Sequence, residues 1–148
     1  MVRKFEFTPD PMTEADLGEN DILIIASNDK GQHGGGSARF AFDKLGLEWG
    51  LGEGISSNGR VYAFPTLHFP ETGRKDPLGI TKYSHQELID SFFKLYDVIR
   101  NNPSKTFYLT KVGCGIAGFS IEEMKDLFNV VFDEKTMPYN LVIPIEFS

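Results

Sequence analysis

The sequence predicts an α/β fold, a three-layer α/β/α sandwich around a mixed, mostly parallel sheet. Three observations predict it. Strand-like and helix-like stretches alternate along the chain, the order that lays helices over both faces of a sheet. Ile22-Leu23-Ile24-Ile25 is an unbroken aliphatic run, which reads as a strand covered on both faces, as in the parallel centre of such a sheet. Two Ser-x-x-Glu capping boxes, Ser84–Glu87 and Ser120–Glu123, each open an amphipathic helix.

Taken in order, Lys4–Thr8 reads as a short strand stopped by Pro9-Asp10-Pro11, and Asp21–Ala26 as the buried strand. A polar, glycine-rich loop covers Ser27–Gly35. Ser37–Leu45 is predicted helical, with Ala38, Phe40, Ala41 and Leu45 inward and Gly46 at its C-terminal cap. Glu48–Arg60 is irregular, with Trp49 expected in the core. Val61–Pro65 is a short strand, and Thr66–Tyr83 carries Pro70, Gly73, Pro77 and Gly79 without periodicity, so it reads as a long loop of the kind that is often functional. The helix after Ser84 buries Leu88, Phe92, Leu95 and Ile99 until Asn101-Asn102-Pro103 stops it. Thr106–Val112 is a strand, the helix after Ser120 buries Met124, Leu127, Phe128 and Val131, and Tyr139–Ile145 is the last strand. No repeat, low-complexity tract or linker interrupts the order, so residues 1–148 are expected to form one domain.

Composition narrows the partners. With 41% hydrophobic and 24% charged residues, neither a disordered chain nor a membrane protein fits. No apolar run approaches the roughly 18 residues that span a bilayer, and Met1–Phe7 lacks the apolar segment of a signal peptide. A soluble, cytoplasmic protein is expected. One cysteine forms no internal disulfide, and one cysteine with three histidines argues against a structural zinc site, so no metal or cofactor is expected. Fifteen Lys and Arg against 21 Asp and Glu leave 15 − 21 = −6, a far field that repels DNA, RNA and anionic membrane. A small anion escapes that argument, because a local nest of backbone N–H groups can outweigh a distant negative field.

Glycine points to where such an anion would sit. Of 15 glycines, nine fall between Gly31 and Gly59 and three between Gly113 and Gly118. Both dense loops follow predicted strands, and ligands of such sheets bind beyond the carboxyl ends of the strands. Gly113-Cys114-Gly115-Ile116-Ala117-Gly118 matches G-x-G-x-x-G between a strand and a helix start, where a diphosphate meets outward N–H groups and the helix dipole. The acid that a dinucleotide fingerprint expects about 20 residues on is missing, because the next strand ends at Glu146, and this excludes a nicotinamide dehydrogenase. In the other loop, Ser27-Asn28 precedes Gly34-Gly35-Gly36; Asn28 suits a ribose hydroxyl pair or caps a turn, and the glycines admit a sugar or merely tighten the loop.

The two loops together resemble the macrodomain family of ADP-ribose-binding α/β/α sandwiches, and in size the small bacterial and phage proteins of that kind. Ile24-Ile25-Ala26-Ser27-Asn28 with Gly34-Gly35-Gly36 is similar to the family's Val-Asn-Ala-Ala-Asn…Gly-Gly-Gly loop, and Val112–Phe119 to its diphosphate loop with the closing aromatic. Tyr62-Ala63-Phe64-Pro65-Thr66 sits where the family has an Ala-x-Pro strand end, so the resemblance runs from about Asp21 to the C-terminus. It implies ADP-ribose or an ADP-ribosylated target as ligand. Ser27, Asn28 and Gly34–Gly36 would line the distal ribose. Gly113, Cys114, Gly115, Ile116, Ala117 and Gly118 would wrap the diphosphate, with Phe119 beside the ribose or adenine. Asp16 is the candidate for the family's adenine-recognising acid, since Asp21 aligns with the acid opening the buried strand.

Catalysis is where the sequence departs. One hydrolytic branch of the family places Asp just after the glycine run, here Ser37-Ala38-Arg39; another places it after Gly-x-Gly-x, here Ala117. A binding module without efficient hydrolysis is therefore the first reading. An ADP-ribosyl hydrolase or ADP-ribose 1″-phosphate phosphatase using Asn28 and His33 is the second, and a protein-interaction domain with a vestigial pocket the third. His33 is either a local acid/base near its reference pKa of about 6.5 or an exposed loop histidine. Cys114 beside a helix N-terminus is expected to have a lowered thiol pKa, although a cysteine phosphatase would need Arg where Ser120 stands. His68 and His85 show no metal-ligand spacing, and Arg74-Lys75-Asp76 is a solvated loop or a lid over an anion. Oligomeric state is not legible.

Overall fold

The computed structural model describes residues 4–148. Asp21–Asn28 form β1, whose run of aliphatics is explained by burial on both faces: Ile22 and Ile24 enter one core and Leu23 and Ile25 the other. Val61–His68 (β3) and Thr106–Leu109 (β5) pair parallel to β1 on its two edges, and Leu141–Val142 (β6) extends the sheet beyond β5. Gly54–Ile55 (β2) and Thr81–Lys82 (β4) run antiparallel along the outer edge of β3. The six-stranded sheet is thus mixed with a parallel centre, in the order β2-β3-β1-β5-β6.

One face is covered by α1, Gly36–Lys44, through Ala38 and Ala41 against Leu23, Ile25, Val61 and Ala63. The other carries α2, His85–Asn101, and α3, Ile121–Val131, which bury the apolar stripes expected from their periodicity against Ile22, Ile24, Phe64 and Phe107. Both open on the expected capping boxes, with Glu87 and Glu123 N–H donating to Ser84 and Ser120 Oγ at 3.1 and 3.0 Å. Phe92 is the keystone of this face, its ring 4.6 Å from Phe64, 5.7 Å from Phe128 and 6.3 Å from Phe132. The three-layer sandwich read from the sequence is present. No helix among the described residues is long and apolar enough to cross a membrane.

Several expectations are corrected. Lys4–Thr8 is not a strand: Pro9 and Pro11 offer no N–H to continue a ladder, and the segment crosses the sheet's carboxyl edge, held by Thr8 N–H and Oγ1 on the carbonyls of Ile143 and Val142. β3 passes through Pro65 to His68, and the register against β1 shifts between Ser27 and Asn28, opposite the proline that cannot donate. Thr66–Tyr83 is not one loop but the end of β3, two 3₁₀ turns at Gly73–Lys75 and Pro77–Gly79, and β4. β2 breaks the irregular Glu48–Arg60 stretch. β5 stops at Leu109, where Thr110 turns its hydroxyl onto the Ile24 carbonyl at 2.8 Å, and β6 is confined between Pro138 and Pro144. Trp49 is 55% exposed rather than core, edge-on to Phe42 and His33.

The adjacent phenylalanines of α2 test the packing. Phe92→Ala removes a side chain with no exposed surface and should lower the unfolding free energy by about 3–5 kcal/mol in denaturant titration. Phe93→Ala, at a half-exposed position, should change it by about 0.5 kcal/mol or less.

Candidate functional site

The parallel centre of the sheet delivers β1, β3 and β5 to one edge, and there a cleft of about 920 Å³ opens between the loops that follow them. One wall is the start of α1. Unlike α2 and α3, this helix opens on a glycine, Gly35, with no side-chain cap and no acid in its first turn. Gly36 has φ +60°, a conformation that places the turn and that L side chains rarely adopt. The first-turn N–H groups of Gly36, Ser37 and Ala38 therefore have no protein acceptor among the described residues.

The facing wall is the 113–119 loop. Gly113, at φ +80°, turns the chain so tightly that a Cβ there would stand 3.2 Å from both Met124 Sδ and Phe119 Cδ2. Cys114, Gly118 and Phe119 donate their N–H groups to the carbonyls of Lys111, Gly115 and Gly113, which closes the loop on itself. The N–H groups of Gly115, Ile116 and Ala117 are left without a protein acceptor among the described residues. The two walls meet, since Ile116 Cδ1 lies 3.3 Å from where a Cβ on Gly36 would be. Two sets of free N–H groups, one with a helix dipole behind it, thus face the same cleft, an arrangement that attracts an anion.

Of the residues singled out in the sequence, Ser27, Asn28, Gly35, Gly36, Gly113–Ala117 and Phe119 line the cleft, while Gly34 and Gly118 flank it. Asn28 is engaged with its own loop: its Oδ1 accepts from Lys30 and Gln32 N–H and its Nδ2 donates to the Gln32 carbonyl at 2.9 Å, leaving one amide hydrogen free. Ser27 Oγ donates to the Gly52 carbonyl. Asp16 lies in a 3₁₀ turn, half-buried and outside the lining, its carboxylate accepting from Thr13 N–H and Oγ1; those bonds hold its pKa below the ordinary carboxylate value.

His33 is not an exposed loop histidine. Its ring is fully buried behind the Gly34–Gly36 turn, between Phe42 and Trp49, with Nε2 2.9 Å from the Glu48 carbonyl. Nδ1 is buried without a partner, and burial holds the pKa below 6.5 against the opposing pull of Glu48. Cys114 is also corrected: burial raises its thiol pKa, outweighing the Lys111 charge that opposes it, so the helix behind it does not activate the sulfur.

Sequence reading missed the wall formed by Pro9–Thr13, because only the folded chain carries that segment over the cleft. With it comes Asp10, the single carboxylate lining the cleft among the described residues, which pairs with Lys111 at 2.8 Å. Glu146 joins the pair 3.4 Å from Lys111, and the Lys111 ammonium has its pKa raised, chiefly through the Asp10 hydrogen bond. Also unforeseen is His68, clamped between Asp29 at 3.1 Å and Glu87 at 2.8 Å and stacked on Tyr83. It ties the loop after β1 to the first turn of α2.

No family model matches the chain, and no curated protein matches it. Among solved structures, it is similar to a protein of unknown function from Bacteroides thetaiotaomicron, 14% identical, with 88% of this chain and 90% of that one covered and a TM-score of 0.51. A macrodomain protein from Streptomyces coelicolor is 12% identical over 86% of this chain and 89% of its own, at a TM-score of 0.49. At such identities the likeness concerns the fold.

Buried His33 makes stability depend on pH. The unfolded chain binds its proton near pH 6.5, whereas the folded protein takes it up only at lower pH, so the unfolded state carries more protons in that window. The stabilisation present above about pH 6.5 should therefore be lost as pH falls through the lower folded pKa. Denaturant titrations between pH 7.5 and 5 should show a shallower decline for His33→Phe than for the wild type. Equal slopes would assign the decline to other groups.

Proposed function

We propose that this protein binds ADP-ribose or a related nucleotide diphosphate-ribose, as a macrodomain-like module without efficient hydrolysis. The observation that carries this reading is the convergence of two unpaired sets of backbone N–H groups, at Gly36–Ala38 and Gly115–Ala117, on a single cleft. A diphosphate satisfies both sets at once, and such neutral donors hold an anion even on a chain of net charge −6. The rest of the cleft is largely apolar, with Met12, Phe40, Phe69 and Phe119 among its walls, which suits a base and sugar rather than a bare phosphate. The order of the two loops along the chain agrees with the family resemblance of the sequence.

Binding rather than turnover is favoured by the carboxylates. Activation of water at an anomeric carbon calls for a base within hydrogen-bond reach, and Asp10 is held by Lys111. Asn28 is engaged with its loop and His33 stands behind the cleft wall, so neither is free to take the acid/base role of the hydrolase reading.

Calorimetric titration of ADP-ribose, with AMP and NAD alongside, tests the reading. Selective micromolar binding of ADP-ribose is expected. A Cβ on Gly115 would meet nothing within 4 Å, so Gly115→Glu should fold normally while placing a carboxylate against the free N–H groups. Its affinity should fall by about tenfold or more, the size of one lost charge-assisted contact. No binding of any of the three by the wild type would overturn the proposal. Release of ADP-ribose from a mono-ADP-ribosylated protein should stay at buffer background; a faster rate abolished by Asn28→Ala would establish the hydrolase instead.

A further inference from the structure

The 69–80 segment, within which Arg74-Lys75-Asp76 reads by sequence as a solvated loop or a lid, is fastened directly onto the loop after β1. Phe69 N–H donates to Asp29 Oδ1 at 2.8 Å, and Glu71 pairs with Lys30 at 3.2 Å. Gly73, at φ +63°, lies so close that a Cβ would overlap the Gln32 carboxamide. The next residue is Arg74. Its guanidinium lies 5.7 Å from the Phe69 ring centroid, and its Nη2 is 3.4 Å from the Cβ position of Gly35, which Ile116 Cδ1 approaches at the same 3.4 Å from the facing loop. Arg74 Nε stands 2.9 Å from the Cβ position of Gly34, so only a glycine turn lets the guanidinium settle here.

Among the described residues two cations line the cleft, Arg74 and Lys111, and they differ in one respect. Lys111 is neutralised by Asp10 and Glu146. Arg74 has no carboxylate partner and no protein hydrogen-bond acceptor among the described residues, although its planar fork offers five donors. An unpaired guanidinium thus stands where the two sets of free N–H groups come together.

Resting on the binding reading above, we infer that Arg74 is the charge clamp of this site: it closes over the ligand's diphosphate from the 69–80 strap and gives preference to ligands that carry two linked phosphates. Backbone N–H groups supply direction but no net charge, so among the described residues Arg74 provides the one unneutralised positive charge lining the cleft. The fork reaches two phosphate oxygens at once, which a lysine ammonium does not.

The test compares the wild type with Arg74→Ala and Arg74→Lys, using ADP-ribose at two salt concentrations and following ligand-free melting in parallel. Arg74→Ala should weaken ADP-ribose binding by about tenfold or more and reduce its salt dependence, and Arg74→Lys should recover only part of the affinity. Ligand-free melting should not move, because Arg74 is exposed and its contacts are with the Phe69 ring and the glycine turn. If the wild type binds ADP-ribose and Arg74→Ala binds within about twofold of it, the clamp is overturned and the binding reading stands. If the wild type binds no ADP-ribose, both fall.

Discussion

Everything in this molecule is hung on β1. It has neighbours on both edges, β3 and β5, and cores on both faces, so its alternation of Ile22 and Ile24 with Leu23 and Ile25 leaves its direction and register little freedom. A slip of one residue would exchange the two sets between cores of different shape. The strand ends at Asn28, at the rim of the cleft, and Asp29 anchors both the 69–80 strap and the His68 clamp. A strand paired on both edges and covered on both faces thereby sets the position of the loops that carry the site.

Around that strand the backbone is treated in two ways. Where α2 and α3 begin, the serine hydroxyl accepts from the third helical N–H and the first-turn glutamate accepts from the serine N–H. Where α1 begins, at the cleft, the chain provides glycine instead, and the facing loop leaves three consecutive donors bare. Of the residues with these free donors Ala38 and Ala117 are buried and the other four exposed, and what sets them apart is that all six line one cleft. The side chains that sequence motifs nominate there, Ser27 and Asn28, hold the loop in shape through bonds to Gly52, Lys30 and Gln32. The N–H groups left without acceptors at the cleft are those of the main chain.

That division explains what was legible in the sequence. Capping boxes and helical stripes are local, so α2, α3 and their buried faces could be read directly, as could the doubly covered β1. Glycine density located both loops because close approach of backbone demands it. Burial of His33 and exposure of Trp49 escape the sequence reading because both depend on how the 48–52 turn folds back onto α1, a packing of neighbouring segments that no short motif encodes. The path of Pro9–Thr13 over the cleft and the pairing of Asp10 with Lys111 are likewise long-range. Pro65 argues for a strand end, yet β3 continues because a register shift absorbs the missing donor.

The bare start of α1 has a consequence for how the protein would respond to its ligand. A nine-residue helix is marginal by itself, and here its first turn has neither side-chain cap nor acid. An anion seated at that end acts as the missing cap, so part of the binding free energy appears as order in the helix and not as contact with the ligand. Amide hydrogen exchange in α1 would slow on saturation more than exchange in α2, which is already capped. With the proposed anion as ligand, recognition and the local folding of α1 would be one equilibrium, and occupied and empty states would differ in how firmly the α1 layer is closed on the sheet.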